Sequence, residues 1–359
     1  MRKELQWLRN ALLGLNMQGM IVSNPKNIEY LTGVKAEGIL LITRKENIFI
    51  TDGRYTEYVH SVLTIEDEIV VYDTREVSIY DYENFFTFCE NVGFEEHYVT
   101  YAKYKEFMHK YKINNLCETE NLIEKQRMIK NRDEIEKIGK ACEITDNCYE
   151  HILNYIKPGL TEIEIANEIQ DYFQNQGINE LAFETIVASG ENTSMPHAIP
   201  SNRKIQPNDI VLLDFGCKYE GYCSDMTRTF FVGSITEEQK AVYNLVLKNQ
   251  IQTERSLRDN VNAKILAKSV ENDFNLNNYM LIHSLGHGLG LDIHEEPSIN
   301  FKTDFILKEN MVVTNEPGIY IPGKFGVRIE DTVWINRAVC TRLTKSNRDI
   351  IVVNGEIKI

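Results

Sequence analysis

The spacing of apolar and polar positions changes character along the chain. Leu5, Leu8, Leu12 and Leu15 recur at helical intervals and predict an amphipathic helix over 2–18. Met20-Ile21-Val22 is short and apolar, and Ser23-Asn24-Pro25 closes it, which predicts a strand. Gly38 to Thr43 and Asn47 to Asp52 read as paired strands around the polar turn Arg44-Lys45-Glu46. A helix from Arg54 into Val62 and a strand near 68–73 follow. This alternation predicts an α/β domain over 1–122.

A long charged helix is expected next, from about Glu124 to Ile156. Ile135, Ile138, Cys142 and Thr145 share its inner face, and Lys157-Pro158-Gly159 stops it. Thr161, with Glu164 three residues on, caps another helix that ends at Gly177. Beyond it, glycines and strand-like runs dominate at 183–189, 210–217, 222–232, 310–315 and 326–335. One helical interlude near 236–273 interrupts them. The order predicts an α+β domain over 123–359 with one curved sheet. A length of 359 residues agrees with two domains of roughly 150 residues each.

Composition adds limits. Apolar residues at 43% allow a core that needs neither disulfides nor a structural metal to fold. A net charge of −14 repels phosphate backbones and argues against nucleic acid as a partner. Part of that acidity could also lie inside, as carboxylates facing bound cations. Seven cysteines, an odd number without a C-x-x-C pair, read as reduced thiols. No run approaches the roughly 18 apolar residues of a membrane span, and the N-terminus lacks the apolar core of a signal peptide. The expectation is a cytoplasmic protein that does not act on a membrane.

Four segments could carry chemistry. Ile210 to Phe230 reads as a hairpin turning near Gly221. If its centre lies between Tyr219 and Glu220, Asp214 and Asp225 stand directly opposite, with Cβ atoms about 4.5–5.5 Å apart. Such carboxylates repel unless a proton or cation lies between them. The other reading is a bulge that turns them to opposite, solvated faces. Next, His283, His287 and His294 fall within 283–297. Gly286, Gly288 and Gly290 argue against a helix, H-E-x-x-H is absent, and no strand-turn-helix context supports a dinucleotide loop. Extended chain packed against a close neighbour would put His283 and His287 on one face. Third, Glu316 follows the apolar run Met311-Val312-Val313. Fourth, alternation over 326–333 puts Arg328, Glu330 and Thr332 on one face, and Val327, Ile329, Asp331 and Val333 on the other. Singly, these acids also fit surface ion pairs. His197, in Pro196-His197-Ala198, precedes the set.

Together these segments resemble the pita-bread metallopeptidase family of aminopeptidase P, prolidase and methionine aminopeptidase. The family's two hairpin aspartates match Asp214 and Asp225. Its H-G-x-G histidine matches His287, its E-P-G glutamate Glu316, and its final strand glutamate Glu330, all in the family's order. The segments 27–33 and 52–55 are similar to the N-terminal domain of the proline-specific branch, and 128–146 to the first catalytic helix. The resemblance therefore implies a creatinase-like N-terminal domain and a pita-bread catalytic domain with a curved antiparallel sheet.

It also implies an Xaa-Pro metallopeptidase of the aminopeptidase P or prolidase kind. Its substrates would be peptides with proline at the second position, or Xaa-Pro dipeptides, and its assembly a homodimer. Two divalent metal ions are implied, Mn2+ foremost, with Co2+, Zn2+ or Fe2+ as alternatives. Asp214 would chelate one, His287 and Glu316 the other, and Asp225 and Glu330 would bridge them, with a bridging hydroxide as the attacking group. Glu316 would also shuttle a proton. His294 and His197 would hydrogen-bond the substrate carbonyl and the tetrahedral intermediate. His283 and Arg328 match family positions near the substrate. A creatinase-like hydrolase without metals and a non-catalytic binding protein are the alternative readings, and the five intact ligand positions speak against both.

Overall fold

Leu5, Leu8 and Leu12 lie buried on one face of the first helix, which spans Lys3–Gly14. Leu15 stands past its end and is exposed, because Asn16 turns into the left-handed region and stops the helix. The computed structural model describes residues 1–353 and divides into two compact units, Met1–Arg127 and Met128–Ile359. The division falls after Arg127 rather than at 122 because Leu122 and Ile123, on the helix Leu122–Arg127, bury in the core of the first unit.

The first unit holds one mixed sheet. Its strands are β1 (Gly19–Val22), β2 (Ile39–Thr43), β3 (Asn47–Thr51), β4 (Ile69–Asp73), β5 (Asn91–Phe94) and β6 (Asn115–Glu118), in the order β4-β3-β2-β1-β5-β6. The β2–β3 pair is antiparallel around Arg44-Lys45-Glu46, as the apolar runs predicted. One apolar cluster packs on each side of β1, with Met20 and Val22 in one and Ile21 in the other.

The expected helix from Glu124 to Ile156 is two helices. Lys130 N donates to Asn310 O instead of continuing the first, and Asn131 caps the second, Arg132–Tyr155, in a reciprocal box with Glu134. On the inner face Ile138, Cys142 and Thr145 are buried, while Ile135 is only half-buried and Glu134 is buried in its place. The Thr161–Glu164 capping box forms as expected at the start of Glu162–Asn175. The interlude near 236–273 is also two helices, Glu237–Ser256 and Ala263–Leu276.

The strands of this unit are β7 (Ile186–Ser189), β8 (Ile210–Phe215), β9 (Lys218–Tyr219), β10 (Tyr222–Cys223), β11 (Met226–Val232), β12 (Gly286–Gly288), β13 (Glu295–Ile299), β14 (Val312–Asn315), β15 (Gly318–Ile321), β16 (Phe325–Arg328), β17 (Asp331–Ile335), β18 (Cys340–Arg342) and β19 (Val352–Val353). The curved sheet resolves into two larger ladders, β19-β11-β8-β7 and β13-β12-β14-β17-β18, with the two-stranded ladders β9-β10 and β15-β16 beside them. They meet at a seam where Glu330 N donates to Thr227 O and the Thr229 hydroxyl donates to Arg328 O. The chemistry-bearing residues lie along that seam.

Candidate metal centre

The turn of the β8–β11 hairpin is Glu220-Gly221, both at positive φ (47° and 90°), and Tyr219 pairs with Tyr222. Paired positive φ values match the twist of the flanking strands. The centre thus lies one position beyond the expected one. Asp214 faces Thr227 rather than Asp225. Asp225, two residues before Thr227, is its diagonal neighbour, a spacing still within side-chain reach. Both carboxylates are buried, so the solvated-bulge reading is not realised.

Glycines deliver His287. A Cβ on Gly286 would lie 2.1 Å from Thr314 O, and one on Gly288 2.3 Å from Glu296 O. Only bare backbone lets β12 lie this close to its neighbours. His287 Nδ1 faces Gly288 O at 3.0 Å, which makes Nδ1 the donor and directs Nε2 inward. There Nε2 stands 3.5 Å from Asp225 Oδ2 and 3.5 Å from Glu316 Oε1. Thr314 Oγ1 accepts from His287 N and donates to Glu316 Oε1, joining β12 to β14 and to the acid just past its end.

Glu330 comes from the break between β16 and β17, where the chain leaves one ladder for another. Its backbone is held by Thr227 O and the Arg228 guanidinium. Donor atoms of Asp225, His287 and Glu330 all lie within 4.8 Å of one another. Asp214 stands outside this trio, but its charge reaches Asp225 and Glu330, and Arg328 Nη2 holds its Oδ2 at 2.6 Å. The alternation survives the strand break. Arg328 and Glu330 both meet the Thr227 hydroxyl, at 2.9 and 2.6 Å, and Thr332 bonds Asp225 O. Asp331 points the other way, to Arg228 and Gln250.

Burial pushes the Asp214, Asp225 and Glu330 carboxyls up, and their neighbours' negative charge adds to it, with Asp225 reaching about 7. Burial works against the His287 cation, yet the Asp225 hydrogen bond and the charges of Glu316 and Asp225 outweigh it and raise His287 to about 9. Protons thus stand in for positive charge. Asp214 Oδ1 is buried without a hydrogen-bond partner. Four clustered acids, one imidazole and an orphaned carboxylate oxygen fit a hard divalent cation site.

The remaining candidates surround this cluster. His283 Nδ1 faces Ser284 O at 2.7 Å, which leaves Nε2 to accept from Tyr320 OH at 3.0 Å; Tyr320 in turn accepts from Arg328 Nη1. Burial lowers the His283 pKa, in keeping with a neutral ring. The His294 ring lies 4.5 Å from that of His287. His197 is exposed, and burial, followed by the neighbouring His287, lowers the His294 pKa. Sequence reasoning missed Thr227, Thr314 and Tyr320. Alternation from Asp225 would have pointed to Thr227, but hydroxyls have no signature until their partners are known.

Known proteins resemble this chain over nearly its whole length. Residues 136–337 match Metallopeptidase family M24, and 5–129 match the Creatinase/Prolidase N-terminal domain. The chain is similar to an Xaa-Pro dipeptidase of Pyrococcus furiosus, 33% identical over 98% of this chain and 100% of that one. It superposes on a solved Xaa-Pro dipeptidase from Bacillus anthracis with a TM-score of 0.92 and 33% identity, covering 98% and 99% of the two chains. An X-Pro aminopeptidase from Thermotoga maritima gives 0.88 at 30% identity, covering 97% and 99%.

Proposed function

The chain belongs to metallopeptidase family M24, and from that premise we propose that it hydrolyses the Xaa-Pro bond of dipeptides or at the N-terminus of longer peptides. The observation that carries the reading is the convergence of Asp225, His287 and Glu330 within 4.8 Å, beside the orphaned oxygen of Asp214. In this reading Asp214, Asp225, His287, Glu316 and Glu330 hold two divalent ions, Mn2+ foremost. Bound divalent cations supply Lewis acidity, polarising a scissile carbonyl and acidifying water.

The side chains do the rest. Glu316, placed between His287 and the Thr314 hydroxyl, moves a proton towards the leaving proline nitrogen. That nitrogen carries no hydrogen in the peptide, so it must gain one to leave. His294 and His197 donate hydrogen bonds to the carbonyl oxygen as its charge develops. Arg328 and His283, tied through Tyr320, orient the substrate. The reading includes a homodimer in the cytoplasm, supported there by seven free cysteines. No described helix is long and apolar enough to cross a membrane.

The test is a hydrolysis panel on protein stripped by chelator and reloaded with Mn2+, Co2+, Zn2+ or Fe2+. Xaa-Pro dipeptides and Xaa-Pro-Yaa tripeptides are expected to be cut, and peptides without proline at the second position spared. Absence of metal-dependent Xaa-Pro cleavage overturns the reading.

A further inference from the structure

A lysine ammonium in the interior survives only beside a partner that balances its charge. The Lys130 side chain is 1% exposed, and its Nζ lies 3.0 Å from Glu295 Oε2, on a side chain 8% exposed. At its root Lys130 is pinned by its own N–H to Asn310 O, and the Asn310 side chain accepts from Trp334 Nε1. At its tip the partner braces a loop. Glu295 Oε1 accepts from Asp292 N at 3.2 Å. Both carboxylate oxygens lie 2.8 Å from the position a Cβ on Gly290 would take, so the acid is folded back across the loop it ends. Gly290 O accepts from Cys223 N, which fastens the loop beside the hairpin of Asp225. His294 is the residue next to Glu295, and its ring lies against His287.

We propose that Lys130 and Glu295 form a buried clamp that fixes the 289–295 loop and so positions His294 beside the metal cluster. Neither residue touches the cluster; both act through His294, and the inference rests on the peptidase reading for its kinetic consequence. Misplacing a reacting group by about 1 Å can cost ~10²-fold in rate. Breaking the clamp is therefore expected to lower kcat while leaving metal content and KM nearly unchanged.

The test uses the full-length, metal-loaded protein with K130M, and with the double variant K130M/E295Q, which removes both charges of the pair together. Hydrogen exchange read by mass spectrometry is expected to accelerate over 289–295 by ~10-fold or more, with the helix Arg132–Tyr155 unchanged. On an Xaa-Pro substrate, kcat is expected to fall by about 10–10²-fold. In a His294→Ala background the same substitutions are expected to cost nothing further. Unaltered exchange of the loop, or an undiminished loss of kcat in the His294→Ala background, overturns the clamp. A wild-type protein that leaves Xaa-Pro peptides intact sinks the peptidase reading instead, and the exchange experiment still decides the clamp.

Discussion

Two sites bury acid, one in each unit, and they do it differently. In the first, Glu95 is 5% exposed and burial pushes its carboxyl up, yet it accepts from Ser23 N, Asn24 N and Asn27 Nδ2. Its donors are built into the loop after β1 and the helix Pro25–Thr32. In the second, Asp214, Asp225 and Glu330 face one another, and one oxygen has no donor at all. A buried carboxylate surrounded by donors is a structural joint. Buried carboxylates surrounded by carboxylates are held at a free-energy cost that only positive charge offsets. The second unit alone supplies all five candidate ligands.

The sharpest way to break this contrast is Asp225→Asn. It is expected to lose at least one metal ion and ~10³-fold or more in turnover, read by metal analysis and steady-state kinetics. Full metal content with normal turnover would make Asp225 a structural acid like Glu95. His294→Ala is expected to keep its metal and lose about 10²–10³-fold in kcat, typical of one lost donor to a developing oxyanion. An unchanged rate removes His294 from the reacting set.

Acidity itself gives a third test. In metal-free protein the Asp225 carboxyl sits near 7 against an ordinary 3.8, and His287 near 9 against 6.5. Both groups hold protons more tightly folded than unfolded. The stability they contribute is complete below their unfolded values and is lost as pH rises through their folded ones. The melting temperature of the metal-free protein is thus expected to fall between about pH 4 and 9 through these groups. Added Mn2+ is expected to raise it most at the alkaline end, where it no longer competes with protons. A stabilisation by metal that is flat across this range contradicts the assignment.

The smallest expected effect belongs to the first unit. Glu95→Gln turns an amide nitrogen towards existing donors and is expected to cost about 1–3 kcal/mol by chemical denaturation. Metal content and turnover of the folded protein should not move. A loss of metal would join Glu95 to the chemistry and erase the contrast.

Two of the candidate ligands were legible along the chain because they end apolar runs. Asp214 closes Ile210–Leu213, and Glu316 follows Met311-Val312-Val313. The full set of five was read from the resemblance to the family, whose motifs these residues match in order. Register was not legible, because the hairpin centre depends on Glu220 taking a positive φ, which side-chain pattern does not announce. The break before Asn131 was hidden for a similar reason. Asn310, far along the chain, takes the Lys130 N–H that would have carried the helix on. The glycines at 286 and 288 suggested close packing, but not that Thr314 and Glu296 would be what they touch. Long-range partners, not local propensity, settle such points.

A hydroxyl has a single proton to give. At Thr227 the guanidinium of Arg328 occupies one lone pair, and the hydroxyl hydrogen points to Glu330 Oε2 at 2.6 Å, with Asp214 the other carboxylate within its influence. The two oxygens of Glu330 are thereby made unequal before any cation arrives: one is already loaded, the other freer to bind. Asymmetry of this kind gives the carboxylate a built-in handedness, dictated by one threonine methyl-and-hydroxyl choice on the facing strand.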